Sequence, residues 1–362
     1  MKRPPLTGVR ILCLAEQYPG PYATLLLADL GAEVIIVERP GGGDPARLFP
    51  SFHGALNRNK RSLALDLKDE VDRARLFRLV ETADVFMEGF RPGTISRLGF
   101  GPETLRAAHP RLVYVSISGF GQDGPYRDRP AHDLSYQAAA GLLSQMTGTT
   151  ASTPPSDIAI GDLSSGLFAA LGIVTALFDR TRTGQGTYLD VSMTDGLVSL
   201  MSVFLGAALN GGEIADIGAE PAYALFTCSD GLRLSLSIAH EDFFWRALCG
   251  LLDLPAHADL RRTERVRRAE LLRADIAAAL ARRPRDHWGS LLDRAGIPWG
   301  PVNSLDEVVA DPHFAHRGLF VAAAEDTVTG ARYVRQPLLF DGEAFPLRRG
   351  VPALGEADRD YR

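Results

Sequence analysis

The 362-residue chain is poor in cysteine: Cys13, Cys228 and Cys249 lie far apart, with neither CxxC nor Cys/His metal spacing. That excludes a disulfide framework and a zinc site, predicts no bound metal, and fits a reducing cytoplasm. Basic excess is missing as well. The 39 Lys and Arg stand against 44 Asp and Glu for a net charge of −5, so nucleic-acid binding is not expected. A local basic pocket for phosphates remains compatible with that balance. No uncharged apolar stretch reaches the roughly 18 residues of a membrane span. The start "MKRPPLTGVRILCLAEQ" meets Glu16 after a short apolar run, so neither a membrane partner nor a targeting segment is expected. Internal repeats and low-complexity segments are also absent.

What is present is an ordinary globular composition, 46% hydrophobic and 23% charged. At roughly 100 to 200 residues per domain, the length predicts two domains. "GVRILCLA" reads as a strand, "YATLLLADLGA" as a helix stopped at Gly31, and "EVIIVERP" as a second strand. Strand, helix, strand in this space is a βαβ unit, which requires a parallel sheet covered by helices. The pattern repeats through "RSLALDL", "KDEVDRARLFRLVETA", "DVFMEGF", "PETLRAAHP" and "RLVYVSISGF". The fold expected is therefore α/β: a doubly wound, Rossmann-like parallel-sheet large domain over residues 1–209. Helical patterns at 135–146, 163–180 and 196–209 belong to it, and residues 210–221 are the expected linker. "YALFTCSDGLRLSLSIA" alternates across an Asp-Gly turn, a hairpin signal that opens a smaller α+β domain over 222–317. Residues 318–362 are expected to return to the large domain, with a loose tail from Arg348.

The first βα turn reads "EQYPGPYA" rather than GxGxxG, which disfavours a nicotinamide or flavin cofactor. Basic groups instead gather near strand ends, where open α/β sheets bind ligands: Arg39, Lys60 and Arg61, Lys68, Arg91 and Arg97. Converging, they could hold several phosphates; singly, each is equally a solvated surface charge. Three further positions have two readings. His132 precedes Asp133 and Tyr136 at a helix start, where Asp133 is a natural cap and His132 either a polar neighbour or a base. Asp162, in "GDLSSG", opens a long helix whose positive end favours a carboxylate, as an N-cap would. Glu241 begins a helix of the small domain with the same ambiguity, while His240 is expected to face solvent.

In order and spacing, "LTGVRIL", "DLGAEVIIVERP", "NKRSLALDLK", "FRPG", "SRLGFGPE", "HDLSY", "GDLSSG", "LFDRTRTGQG", "AYALFTCSDG" and "AHEDFFW" resemble the α-methylacyl-CoA racemases of the class III CoA-transferase superfamily. The resemblance runs on to "PVNSLDEVVADPHF". It implies that CoA enters as part of the substrate, with no separate cofactor. The nucleotide would lie against Arg39 and Leu65, Asp66, Leu67 and Lys68, with Gly89, Phe90, Arg91 and Arg97 nearby, and Ala131, Asp133 and Tyr136 would line the substrate. It further implies an interlocked homodimer, with the active site between a large domain and the partner's small domain, so that Glu241 acts in trans. His132 and Asp162 match the two acid/base residues, and Glu241 the group that orients the histidine.

Inverting the carbon beside a thioester carbonyl requires a proton taken from one face and returned to the other, so two groups must flank it. The rest of the rate must come from stabilising the enolate oxygen, for which backbone N–H groups near Asp162 are candidates. The rival chemistry on this fold is CoA transfer, in which Asp162 is a nucleophile that becomes an aspartyl-CoA thioester. A Gly-rich small-domain loop common in transferases is lacking at "LSIAHEDFF", and His132 is present, which favours a racemase. Ala131 in place of the usual Gly, and Asp242 in place of the usual Pro, depart from the racemase pattern. A CoA-binding protein without turnover is the third reading, opposed by the intact His132, Asp162 and Glu241 set.

Overall fold

Apolar runs uninterrupted by polar residues become the inner strands of a parallel sheet, because helices cover both faces. In the structure, a computed structural model describing residues 3–147, 157–213, 217–326 and 330–361, six such strands form one sheet. They are β1 (Arg10–Cys13), β2 (Glu33–Glu38), β3 (Lys60–Ala64), β4 (Val85–Glu88), β5 (Val113–Ser118) and β6 (Tyr188–Ser192). All pair in parallel, in the order β3-β2-β1-β4-β5-β6. The α/β doubly wound expectation therefore holds. Strand order reverses between β1 and β4, and at such a switch point the crevice beyond the carboxyl ends is open to ligands.

Alternation along the strands divides the core into two layers. Ile11, Cys13, Ile36, Val85, Met87 and Val115 face the Pro19–Asp29 and Ile160–Thr183 helices. Leu12, Ile35, Val37, Leu63, Phe86 and Tyr114 face the helices Glu70–Val80 and Pro102–Ala108. The first helix starts with Pro at N1, and a Cβ on Gly20 would lie 2.2 Å from the Ala15 Cβ. One glycine thus gives the close strand-to-helix approach for which dinucleotide enzymes use their longer motif.

Residues 1–205 and 316–362 make one compact unit and residues 206–315 a second. In the second, β7 (Tyr223–Thr227), β8 (Arg233–Ser237) and β9 (Trp299–Pro301) form an antiparallel sheet. The β7–β8 turn places Gly231 at φ +78°, as the Asp-Gly signal required. Trp245, Leu248, Leu272, Ile276 and Leu292, from the helices Asp242–Leu252, Ala269–Leu280 and Arg285–Ala295, fill its core.

Four details differ from the sequence reading. The tail after Arg348 is docked rather than loose: Ala357 N–H donates to the Ser62 carbonyl at 3.0 Å and the Asp358 carboxylate accepts from Ala64 N–H at 2.9 Å. It covers the free edge of β3, which would otherwise present unpaired backbone groups. Within the expected 210–221 linker, which lies partly outside the described residues, Glu220 is buried with Arg262 and Arg265 as ion-pair partners in the smaller unit. The 196–209 pattern is two helices, Met193–Leu200 and Ser202–Asn210, bent by 77°. Finally, Ile160–Thr183 is long and apolar enough to cross a membrane by length and composition, because Leu163–Phe178 carries no charge. One side of it is the core layer through Ala169, Ile173 and Ala176.

Candidate active site

The chain reaches β6 from the Ile160–Thr183 helix, so in a parallel sheet that helix must begin over the carboxyl ends of the strands. Two glycines of "GDLSSG" seat it there. A Cβ on Gly166 would lie 2.8 Å from the Pro19 carbonyl oxygen, and one on Gly161 would lie 2.8 Å from the Asp133 Oδ1. Asp162, between them, occupies the third helical position rather than the cap, which is Ala159.

His132 is the cap residue of the short helix Asp133–Ala139, with extended backbone angles. Its ring is exposed and does not cap the helix. The backbone on either side is anchored. Tyr136 Oη donates to the Ala131 carbonyl at 2.9 Å, and a Cβ on Gly119 would strike the same buried ring. Ala131, the departure from the racemase pattern, packs its methyl group in the small cluster of Tyr136, Ala140 and Leu197.

Asp133 does not cap its own helix, contrary to the sequence expectation. Its Oδ1 accepts from Asp162 N–H at 2.9 Å and its Oδ2 from Gln137 Nε2. The carboxylate thus ties the start of the long helix to the residue next to His132. Gln137 Nε2 also donates to the Ile158 carbonyl at 3.2 Å, which tightens the same junction. Of the backbone N–H groups near Asp162, that of Asp162 itself is taken by Asp133.

Burial, and secondarily the negative charge of Asp133, raise the Asp162 carboxyl to about 7. A helix N-terminus alone would favour the carboxylate, but desolvation outweighs it here. A carboxyl balanced at neutrality suits proton transfer in either direction. The same surroundings push the Tyr136 phenol up to about 12, through burial first and then the charges of Asp162 and Asp133.

The nucleotide candidates occupy the same carboxyl edge. Arg39 directly follows β2, exposed, with its Nε on the Gly43 carbonyl at 3.0 Å. Beyond β3, Leu65 is buried and its N–H donates to the Glu38 carbonyl at 2.9 Å, Leu67 is half-buried, and Asp66 and Lys68 are exposed. Asp66 Oδ1 accepts from Lys68 N–H, which shapes that turn. Gly89 sits at the switch point, where a Cβ would come within 3.1 Å of the Ala15 Cβ, and Phe90, Arg91 and Arg97 follow it. Lys60 and Arg61 do not join this group. Both belong to the opposite, amino end of β3. Lys60 is buried with its ammonium on the Pro21 carbonyl and Asn57, and Arg61 is held by Asp360 and Tyr361 of the tail.

Glu241 lies in the 206–315 unit, whereas His132 and Asp162 lie in the other. It holds the cap position of the Asp242–Leu252 helix without capping it. Its Oε2 instead accepts from Ala239 N–H at 3.0 Å. Hydrogen bonds from its own amide and that of Ala239 hold its carboxyl below the ordinary range. Asp242, the second departure from the racemase pattern, pairs with Arg265 at 2.6 Å and Arg261 at 2.9 Å, so its charge is used at the surface of that turn.

Sequence reasoning missed Glu88 and Arg127. Glu88 ends β4, wholly buried, and accepts from Phe90 N–H at 2.8 Å; burial raises its carboxyl to about 7. Its position two residues before a candidate phenylalanine was the available signal. Arg127 follows β5 in a glycine-containing loop, and the strand-end rule that selected Arg91 applies to it equally. Among the described residues no cluster of His, Cys, Asp and Glu has the form of a metal site.

Residues 6–358 match the family model described as CoA-transferase family III. Acetyl-CoA:oxalate CoA-transferase of Acetobacter aceti is 34% identical, over 97% of this chain and 93% of its own. The human alpha-methylacyl-CoA racemase is 33% identical, over 97% and 91%. A CAIB/BAIF family protein from Brucella suis superposes with a TM-score of 0.88 at 29% identity, covering 99% of this chain and 98% of that one.

Proposed function

Because the chain belongs to CoA-transferase family III, we propose that it is a 2-methylacyl-CoA racemase of that family. The observation that carries this reading is the Asp133 bridge, which sets an exposed imidazole one residue from the group that fixes Asp162. Two proton carriers of different type at the carboxyl edge of the sheet are what inversion at an α-carbon needs.

In one direction the neutral imidazole of His132 takes the α-proton while the protonated Asp162 delivers its own to the opposite face. The next turnover, in the other direction, finds both groups in the complementary state. With the carboxyl near 7, each ionisation state is well populated at neutral pH. The enolate oxygen formed between the two transfers needs donors. As first residues of a helix, Asp133 and Leu134 have N–H groups without an intrahelical acceptor, directly beside His132. Glu241, a carboxylate at neutral pH, would orient the imidazole from a second copy of the chain, as the family resemblance implies.

A homodimer is part of this reading. Leu167, Leu171, Val174 and Phe178 form a stripe at helical spacing on the long helix, exposed by 51, 63, 40 and 64%. Apolar surface of this extent on a core helix is the kind that a second copy covers. CoA transfer through Asp162 is the second reading, favoured by the similarity to the acetate-bacterium transferase. The experiment is His132→Ala: it should abolish epimerisation while acyl-CoA binding stays within a few-fold. CoA transfer by the wild type that survives this substitution, with no epimerisation by either, would overturn the racemase reading.

A further inference from the structure

The loop after β4 turns at Gly93, whose φ of +79° is the left-handed conformation that glycine adopts without strain. A Cβ at that residue would lie 3.2 Å from Arg127 Nη2 and 3.4 Å from Arg97 Nη1. Two guanidinium groups, one from the short helix Thr94–Arg97 and one from the loop after β5, therefore meet over one bare stretch of backbone.

Both are held there by their own hydrogen bonds. Arg97 Nη2 donates to Thr94 Oγ1 at 2.9 Å. Arg127 Nε donates to the Gln122 carbonyl at 2.8 Å, and the Gln122 N–H is in turn fixed on Asp190 of β6 at 2.9 Å. Arg127 is thereby directed: its Nη1 donates to Asp128 at 3.3 Å, and its Nη2, beside Gly93, is left for another partner. Among the described residues its ion-pair partner is Asp128, at 3.3 Å and 78% exposed, too open to neutralise it. Like charges brought together repel unless an anion joins them. A planar fork is the side chain best matched to phosphate oxygens.

We propose that Arg127 and Arg97 form a clamp over Gly93 for a phosphate group of the CoA nucleotide, making Arg127 a binding residue for the substrate. The clamp rests on the acyl-CoA reading given above. It assigns to the β5 loop, which also carries His132, a direct hold on the charged end of the substrate. The nucleotide and the acid/base residue are then fixed by one stretch of chain, residues 122–132.

The test is calorimetric titration of the full-length wild type, Arg127→Ala and Arg127→Lys with CoA, 3′-dephospho-CoA and pantetheine, at two salt concentrations. Arg127→Ala should weaken CoA binding about tenfold or more, as loss of a charge-assisted contact does, with a shallower salt dependence. Pantetheine, which has no nucleotide, should bind both proteins equally. Arg127→Lys keeps the charge without the fork and should fall between, which separates lost charge from a disturbed loop. A penalty that disappears with 3′-dephospho-CoA assigns the clamp to the 3′-phosphate; one that persists assigns it to the pyrophosphate. If the wild type binds CoA and Arg127→Ala binds it as tightly, the clamp is wrong while the acyl-CoA reading stands. Equal weakening of CoA and pantetheine also overturns the clamp. If the wild type binds no CoA, both fall.

Discussion

Asp162→Asn should make the protein inactive and, above neutral pH, more stable. The carboxyl is held at about 7 by burial and by Asp133, against about 4 in an unfolded chain. Between those two values the folded protein keeps a proton that the unfolded chain releases, so stability falls as pH rises through the window. At about 1.4 kcal/mol per pH unit, the cost reaches a ceiling of about 4 kcal/mol above pH 7. Asparagine is the near-isostere without that ionisation. The difference in unfolding free energy between variant and wild type should therefore be close to zero at pH 4 and about 4 kcal/mol in favour of the variant at pH 8. Urea unfolding at a series of pH values measures it directly. A difference that does not change with pH, or that favours the wild type at pH 8, would refute the assignment of a desolvated carboxyl at this site.

Asp133→Asn keeps an acceptor for the Asp162 amide but removes the neighbouring charge, so the limb of the pH–rate profile set by Asp162 should move to lower pH: the basic limb in the direction in which it donates the proton, the acidic limb in the direction in which it removes one; unmoved limbs would show that Asp133 acts through geometry alone. Gly161→Ala would drive a methyl group to 2.8 Å from the Asp133 carboxylate. A loss of about 1 to 3 kcal/mol in stability, with a larger loss of kcat than of substrate binding, is expected, and wild-type kcat would contradict it. Phe178→Glu places a charge in the exposed apolar stripe; if that stripe holds the proposed homodimer together, the wild type should run as a dimer and the variant shift towards monomer in light scattering at micromolar concentration. Dimers of undiminished stability would mean that another surface holds the two copies together.

Periodicity made the larger sheet legible, because each central strand is a short apolar run and each crossover a helix with a polar face. The Asp-Gly turn did the same for the β7–β8 hairpin. What escaped was long-range. Nothing local in "GVPALGEADRDYR" announces that Asp358 and Ala357 will cap the edge of β3, for their partners are nearly three hundred residues away. Lys60 looked like a strand-end cation, yet it begins its strand rather than ending it, and that one difference buries it. Among the candidate residues, the sequence singled out His132 and Asp162 in the larger unit and Glu241 in the smaller. It misassigned Asp133, because a cap satisfying its own helix and a carboxylate bridging to another look alike in one dimension. The hydrogen bond from Asp162 N–H, with Gly161 packed against that carboxylate, separates the two.

The most direct test of the central claim is incubation of one enantiomer of a 2-methylacyl-CoA with the wild-type protein in D2O, with no carboxylic acid present. The two-base account predicts that deuterium enters the α-position and that the opposite enantiomer appears, both at rates that Asp162→Asn and His132→Ala abolish. Retention of the protium and of configuration, together with CoA exchange once a second carboxylate is added, would contradict it.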